Sequence, residues 1–197
     1  MLPGLTDRWG ATLQVLLPSK SESASASARR NALQELKEVD AVRISASGKK
    51  KGSKTRYTVE VFMVPSTSCS GISTASTEPA VRIEREQSDF KDVADELHKI
   101  VSSAHSGKRC ELCSAILNWF VLGENPDAVM LMFVSNERIA RKLTKFLQDL
   151  LTPTIKYASD DIQGGCSGQT LIPLAVHKFL FNTPATCASF RRFINSI

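Results

Sequence analysis

The sequence predicts an α+β fold, in which a three-stranded antiparallel β-meander packs against a helical subdomain. Two runs with alternating apolar residues, a third short run of the same kind, and later stretches with helical periodicity support this prediction. The chain has 197 residues, of which 42% are hydrophobic and 23% charged, and this suits one globular domain with extensions.

The first two strands are predicted on either side of a basic turn. Val42, Ile44 and Ala46 alternate with polar neighbours, and the run RYTVEVFM (56–63) alternates again after the turn. A long connection rich in Ser and Thr follows, and Val81 begins the third strand. Strands that follow one another in this way form an antiparallel meander most economically.

Helices are predicted after the meander. An apolar stripe with helical spacing covers residues 88–101, where Ser88 is the expected N-cap. A second stripe begins near residue 135 and is expected to end at Pro153. A third, short apolar helix is predicted over about residues 171–181.

The domain boundaries follow from composition. Residues 1–37 are predicted to form an N-terminal extension, in which the Ser/Ala-rich stretch 19–30 is either a linker or a frayed helix start. Residues 38–182 are predicted to form the domain, and residues 183–197 a basic C-terminal tail. The N-terminus does not match a signal peptide, and five cysteines are an odd, thinly spread set, so we expect a cytoplasmic protein with reduced thiols.

The net charge of +5 is unevenly distributed. No acid lies between residues 41 and 58, and the turn predicted there is rich in lysine. Its four lysines are Lys49, Lys50, Lys51 and Lys54. Such a turn presents cations to phosphate groups of lipid or nucleic acid, and we interpret it as a membrane contact. The alternative is a solvated turn that only aids solubility.

The order of these elements is similar to that of the phox-homology (PX) domain family. The similarity covers about residues 40–182 and depends on RYTVEV (56–61), on SDF (88–90) with the helix that it opens, and on RIARKLTKFLQDLLTP (138–153). The resemblance implies a meander packed on helices that binds phosphoinositides, most often phosphatidylinositol 3-phosphate of endosomal membranes.

The family's phosphate-binding positions are changed in this chain. Aligned on Ser88, the family's first arginine is matched by Arg85, but the second falls on Glu86 and the aromatic on Gln87. A carboxylate repels a phosphate and offers it no donor. Because neighbouring strand residues point to opposite faces, we expect Arg85 to point away from the side of Glu86.

The family's second basic contact is also out of register. The arginine that contacts the inositol hydroxyls falls on Ile139. The resemblance therefore leaves a modified set of candidate lipid-binding residues: Arg85, Arg138, Arg141 and Lys142. Lys108 and Arg109 could add to the basic charge. The segment 103–134 replaces the family's proline-rich loop.

We predict a non-catalytic module that binds phosphoinositide or anionic membrane through a degenerate 3-phosphate site and acts in trafficking or signalling. It is expected in the cytoplasm, associated peripherally with endosomal or other intracellular membranes. The alternative is a PX-like protein-interaction scaffold that has lost lipid binding. We expect no small-molecule substrate, because no nucleophile–histidine arrangement or phosphate loop is recognisable, and nucleic-acid binding ranks third.

The segment 103–134 contains the only metal-ligand spacing in the sequence. Cys110 and Cys113 form a CxxC pair, and His105 precedes them. Because a closed zinc site needs four ligands and no second pair exists, we predict no metal and no cofactor, with these cysteines as weak candidates. Cys166 and His177 are the distant residues of suitable type. The alternative interpretation is that Cys113 packs on the apolar side of a helix.

The same segment is rich in large apolar residues. The resemblance suggests a membrane-inserting loop there, with Trp119 and Phe120 as the wedge. A domain of this size needs such side chains in its core, so we favour core packing for Trp119.

Overall fold

The computed structural model describes residues 24–47, 55–64, 78–122, 135–159 and 165–182. Within these ranges the chain forms five helices and one three-stranded antiparallel sheet, so the predicted α+β class is confirmed. In chain order the elements are α1 (Ala24–Lys37), β1 (Val39–Ala46), β2 (Arg56–Met63), β3 (Val81–Glu86), α2 (Gln87–Ser103), α3 (Glu111–Leu122), α4 (Asn136–Tyr157) and α5 (Ser167–Phe181).

The sheet has the order β1-β2-β3 with both pairings antiparallel, which confirms the meander. Its register shifts between Val39 and Ala41, and beyond this irregularity the alternation of side chains decides which face is buried. The apolar residues of the inner face are Val42, Ile44, Tyr57, Val59, Val61 and Ile83. The inner face forms one wall of the core, and the helices form the other.

The outer face of the sheet carries paired charges. Glu60 lies between Arg43 and Arg82 in the register, and Arg82 Nη2 is 2.7 Å from Glu60 Oε1. Arg56 Nη1 is 3.2 Å from Glu84 Oε2. Exposed pairs of this kind add little stability, but each carboxylate offsets the charge of its arginine. The outer face is therefore not a cationic surface.

Helix α2 begins two residues earlier than predicted. Its N-cap is Glu86 rather than Ser88, and the backbone N–H of Glu86 donates to Asp89 Oδ2 at 2.8 Å. Asp89 stands three residues after the cap, where a carboxylate accepts the N–H of the cap and interacts favourably with the helix dipole. Strand β3 consequently passes into α2 with no residue between them.

Phe90, in the first turn of α2, joins the sheet to the helical layer. Its ring makes edge contacts with Tyr57 of β2, Phe146 of α4 and Phe179 of α5, at centroid distances of 6.5, 6.3 and 5.1 Å. All four side chains are buried. Edge contacts between aromatic rings add to the stability that burial provides. The predicted apolar stripe of α2 is therefore the centre of the core.

Helix α4 lies along the free edge of β1. Thr144 Oγ1 accepts a hydrogen bond from Ile44 N at 3.1 Å, and Gln148 Nε2 donates to Val42 O at 3.5 Å. The helix therefore runs antiparallel to the strand, and its side chains occupy backbone groups that an edge strand leaves unpaired.

Two predicted helix boundaries are wrong. Helix α4 continues past Pro153 to Tyr157, because its last turn buries Thr154, and the hydroxyls of Thr152 and Thr154 donate to carbonyls one turn earlier. Helix α5 begins at Ser167 rather than near residue 171, since Gly168 is also buried against the rest of the molecule.

Helix α1 lies in the part of the chain for which the sequence predicts an extension with a linker. Leu33 and Leu36 are fully buried in the core, and the helix packs on α5. The packed region therefore begins before the predicted boundary at residue 38. Residues 1–23 and the predicted tail 183–197 lie outside the described residues.

Candidate functional site

Arg85, the first candidate lipid ligand, is buried in the core. Its Nε and Nη2 donate to Phe179 O at 3.2 and 2.7 Å, and Nη2 also donates to Asn182 O. The guanidinium stacks on the Phe179 ring, 5.1 Å from its centroid. A cation at a helix C-terminus is stabilised by the free carbonyls there. Arg85 therefore caps α5, and its role in binding a headgroup stays a prediction that would require it to give up these hydrogen bonds.

Glu86 and Gln87 stand where the resemblance implies the phosphate-binding arginine and the aromatic. Glu86 is the N-cap of α2, and its Oε1 lies 3.9 Å from Arg56 Nε. With Asp89 on the same turn, two carboxylates occupy the helix N-terminus, which would otherwise attract an anion. The β3–α2 junction (Arg85, Glu86, Gln87 and Asp89) is therefore an unfavourable place for a phosphate ligand.

The candidate residues on α4 are accessible. Arg138 and Arg141 are exposed and Lys142 is half-buried. Helix α4 runs antiparallel to β1, and Thr144 contacts Ile44. Arg138 precedes Thr144 in the helix and lies about 9 Å from it along the helix axis, in the direction in which β1 ends. A strand covers the same length in about three residues. The basic turn of α4 therefore lies near the end of β1, beside Ser47.

That end of the sheet is also where the chain enters and leaves the lysine-rich segment 48–54. Ser47 and Thr55 flank this segment, and Ser47 N donates to Arg56 O at 2.9 Å. The predicted membrane contacts Lys49, Lys50, Lys51 and Lys54 themselves lie outside the described residues. We call Arg138, Arg141 and the two flanking residues the basic end of the molecule. Lys108 and Arg109 are exposed in the connection between α2 and α3.

Trp119 is buried, with 8% of its surface exposed. Its ring lies 4.7 Å from Phe120 and 4.8 Å from Phe146 of α4. The burial agrees with the predicted core role and leaves no wedge at this residue. On the same helix, Val121 is 80% exposed.

Four side chains of metal-binding type converge between α2, α3 and α5. They are His105, Cys110, Cys113 and Cys166, and their ligand atoms all lie within 4.8 Å of one another. Cys166 Sγ is 3.5 Å from Cys110 Sγ and 3.7 Å from Cys113 Sγ. We call these four residues the cysteine–histidine cluster. All three thiols are free.

The local folding of each segment explains why these residues meet. Cys110 immediately precedes α3, and its carbonyl accepts the N–H of Ser114, so that Cys113 lies in the first turn of the helix. Cys166 is the N-cap of α5. His105 follows the end of α2 by two residues. Two helix N-termini and one helix C-terminus therefore meet at the cluster.

Close packing around the cluster requires a glycine. A Cβ atom on Gly168 would lie 2.5 Å from Cys113 Sγ and 3.4 Å from Cys166 Sγ. No side chain larger than hydrogen fits at that position without a shift of the backbone or the thiols. The glycine therefore lets the first turn of α5 approach Cys113.

Gln169 links the cluster to the rest of the fold. Its Nε2 lies 3.8 Å from Cys110 Sγ and 3.2 Å from Tyr157 O, and its Oε1 accepts from Ser159 N at 2.9 Å. Its backbone carbonyl accepts from Nε of the buried Arg29 at 2.8 Å. Helix α1, the end of α4 and the start of α5 are thus all held beside the cluster.

The two cysteines of the CxxC pair have shifted pKa values in opposite directions. Burial raises the pKa of the Cys110 thiol, but hydrogen bonds from Cys113, Cys166 and His105 outweigh it and lower the pKa to about 7. Burial and the neighbouring thiols raise the pKa of Cys113. The environment therefore favours the thiolate form at Cys110 and the thiol form at Cys113.

The sequence identified the CxxC pair and the right residue types, but not this set of four. His177, one of the distant candidates, instead has its Nε2 2.6 Å from Glu35 Oε2, within hydrogen-bond distance, and stacks on Phe181. His105 and Cys166 complete the cluster. The signal that could have selected Cys166 is its position beside Gly168 at the start of a helix.

In comparisons with known proteins, no family model, no curated protein and no solved structure matches the chain. None of the helices in the described ranges is both long and apolar enough to cross a lipid bilayer.

Proposed function

We propose that this protein is a non-catalytic PX-like module that attaches peripherally to anionic membranes through its basic end, without a stereospecific site for the 3-phosphate. The proposal depends on the position of the exposed Arg138 and Arg141, which lie at one end of the sheet. Ser47 and Thr55, which flank the lysine-rich segment 48–54, lie at the same end. Two cations of α4 and the two residues that flank the lysine-rich segment thereby belong to one end of the molecule.

The β3–α2 junction supports the second half of the proposal. Arg85 is bonded to carbonyls at the end of α5, and Glu86 places a carboxylate at the N-terminus of α2. A phosphate at that position would meet negative charge and would have to displace existing hydrogen bonds. Membrane attachment therefore depends on total anionic charge rather than on the phosphorylation pattern of inositol.

The expected attachment is weak. Six cations, the four lysines of segment 48–54 with Arg138 and Arg141, contribute at most about 1 kcal/mol each near an anionic surface. The attraction falls off over a Debye length of about 8 Å at physiological salt. Glu84 and Glu86 at the same end of the sheet reduce it, although both lie within 4 Å of Arg56. We therefore expect binding at low salt that is largely lost as salt is raised.

Protein binding without lipid is the rival function. One route to it, addition of a strand to the sheet, is disfavoured at β1, because Thr144 and Gln148 of α4 bond to Ile44 and Val42 along that edge. The helical route stays open at the exposed Val121 on α3. In this alternative, lipid vesicles would not retain the protein at any salt concentration.

Vesicle sedimentation tests the proposal. Vesicles of phosphatidylcholine alone should bind no protein, and vesicles that also contain phosphatidylserine should bind it. Vesicles with phosphatidylinositol 3-phosphate at the same total charge should bind as much protein as those with phosphatidylserine. Replacing Lys49, Lys50 and Lys51 by glutamate, or making Arg138→Glu with Arg141→Glu, should abolish the binding.

The matched control is Lys99→Glu with Lys156→Glu, which changes the net charge as much as the arginine pair does. Lys99 is exposed near the end of α2 and Lys156 lies in the last turn of α4, both far from the basic end. This variant should retain most of the binding. A preference for the phosphoinositide at matched charge would contradict the absence of a stereospecific site, and no binding at low salt would favour the scaffold.

A further inference from the structure

We propose that His105, Cys110, Cys113 and Cys166 bind one Zn²⁺ ion in a closed, structural site that holds α3 and α5 to the end of α2. This inference is independent of the membrane proposal, because none of the four residues belongs to the basic end. It is carried by the distances between the ligand atoms and by the groups that surround them.

The distances fit a zinc tetrahedron. A Zn–S bond of about 2.3 Å gives a distance of about 3.8 Å between two sulfurs of one tetrahedron. Cys166 Sγ lies 3.5 Å from Cys110 Sγ and 3.7 Å from Cys113 Sγ, and every ligand atom, including one from His105, lies within 4.8 Å of the others. The four atoms therefore need only small movements to enclose an ion.

The composition of the set identifies the metal and the kind of site. Three thiolates with one imidazole make up one of the common ligand sets of structural zinc, and hard cations such as Mg²⁺ and Ca²⁺ prefer oxygen. Four protein ligands complete the tetrahedron, so no position stays open for a water molecule or a substrate. The site is therefore structural rather than catalytic.

The groups around the cluster suit negatively charged sulfur. Cys113 N donates to Cys110 Sγ at 3.5 Å, and Gln169 Nε2 lies 3.8 Å from the same sulfur. Cys110 and Cys166 each stand at a helix N-terminus, where backbone N–H groups favour thiolate. Hydrogen bonds of this kind orient metal ligands and stabilise their charge.

A disulfide does not explain the cluster. Only two of the three cysteines can pair, so the third thiol and the histidine would have no role in such an arrangement. Sulfurs in a disulfide lie about 2.05 Å apart, much closer than the 3.5 Å between Cys110 and Cys166. One ion instead uses all four side chains, including Cys166, which lies 53 residues beyond Cys113 in the chain.

The ion would join three segments that are far apart in the sequence. The ligands come from the connection after α2, from the first turn of α3 and from the N-cap of α5. Because these segments meet only in the folded chain, a metal that binds them favours the folded state and is lost together with it.

Metal analysis of the full chain tests the proposal. Protein expressed with added zinc and purified by gel filtration should contain about one zinc per molecule by plasma mass spectrometry. Cys110→Ser, Cys113→Ser, Cys166→Ser and His105→Asn should each lose most of it and unfold at a lower temperature. The matched controls, Cys69→Ser and Cys187→Ser, change cysteines outside the cluster and should retain the zinc. Zinc-free parent protein, or zinc content that is unchanged in Cys166→Ser, would overturn the proposal.

A second measurement does not require the variants to fold. Parent protein refolded with Co²⁺ in place of zinc should show the visible bands of tetrahedral cobalt and the sulfur-to-cobalt charge-transfer band in the near ultraviolet, and zinc should abolish both. Absence of these bands would contradict a thiolate site. A peptide map of the non-reduced protein gives the last outcome: a disulfide that joins two of Cys110, Cys113 and Cys166 would sink the zinc assignment.

Discussion

The β3–α2 junction and the cysteine–histidine cluster differ in how closeness in the sequence corresponds to closeness of functional groups in space. At the junction, adjacent residues resemble a lipid-binding pattern, yet Arg85 caps α5 and Glu86 caps α2. At the cluster, residues up to 61 positions apart, from His105 to Cys166, have their ligand atoms within 4.8 Å of one another. Neighbours in a strand or cap point in different directions, whereas distant residues can face one point once the helices pack.

The two regions also differ in what their polar groups do for the fold. The hydrogen bonds of Arg85 are complete without any ligand, since its guanidinium reaches two carbonyls and an aromatic ring. In the cluster, the ligand atoms of three thiols and an imidazole all lie within 4.8 Å of one another. A buried group that is already satisfied indicates a structural role, and a group of convergent ligand atoms meets the geometric requirement of a metal site.

The largest expected effect is that of Arg85→Met. The change leaves the carbonyls of Phe179 and Asn182 without their donor and removes the contact with the Phe179 ring. We expect the free energy of unfolding to fall by about 3–5 kcal/mol. Urea denaturation followed by circular dichroism measures it.

Arg82→Met is the control, because Arg82 lies on the same strand but is exposed and pairs with Glu60. It should cost less than about 1 kcal/mol. If Arg85→Met were no more destabilising than Arg82→Met and reduced only the binding to phosphoinositide vesicles, Arg85 would be a ligand after all, and the contrast between the two regions would disappear.

A smaller effect is expected from Gly168→Ala. The new methyl group would lie 2.5 Å from Cys113 Sγ, so either the start of α5 or the thiol must move. We expect a loss of about 1–3 kcal/mol in the free energy of unfolding, and a clear fall in bound zinc if the cluster binds it. Thermal unfolding and metal analysis of the same sample measure the two effects.

Gly107→Ala is the matched control, since a Cβ on Gly107 would have no neighbour within 4 Å. Gly107 lies in the same connection as His105, and its substitution should leave stability and metal content unchanged. Equal effects from the two substitutions would mean that the crowding at Cys113 is not what Gly168 relieves.

The sheet could be predicted because its pattern is local. Period-two alternation in β1 and β2 decides by itself which side chains face inward, and Val42, Ile44 and Val59 are buried as expected. The start of α2 was predicted two residues late because Ser88 is a good cap in isolation. In the fold, Asp89 accepts the N–H of Glu86 and draws the helix start back.

The parts that could not be predicted depend on tertiary contacts. The Ser/Ala-rich composition before residue 38 indicates a linker, but Leu33 and Leu36 bury α1 against α5. The CxxC pair was visible as two ligands. The third and fourth ligands are brought in by the end of α2 and the start of α5, and neither spacing follows a known motif. Only the packing of three helices specifies that set.

The smallest expected effect comes from introducing the residues of the PX family at the junction, with Glu86→Arg and Gln87→Tyr together. If the PX resemblance reflects kinship, the new guanidinium would stand beside the N-terminus of α2, facing the side opposite to Arg85. One charge-assisted contact would give a preference of roughly tenfold for phosphatidylinositol 3-phosphate vesicles over phosphatidylserine vesicles of equal charge.

Glu84→Arg, an exposed site on the same strand, adds equal charge and should raise binding to both vesicles alike. Equal binding of both vesicles by the double variant would mean that the junction cannot hold a headgroup even with the family's residues.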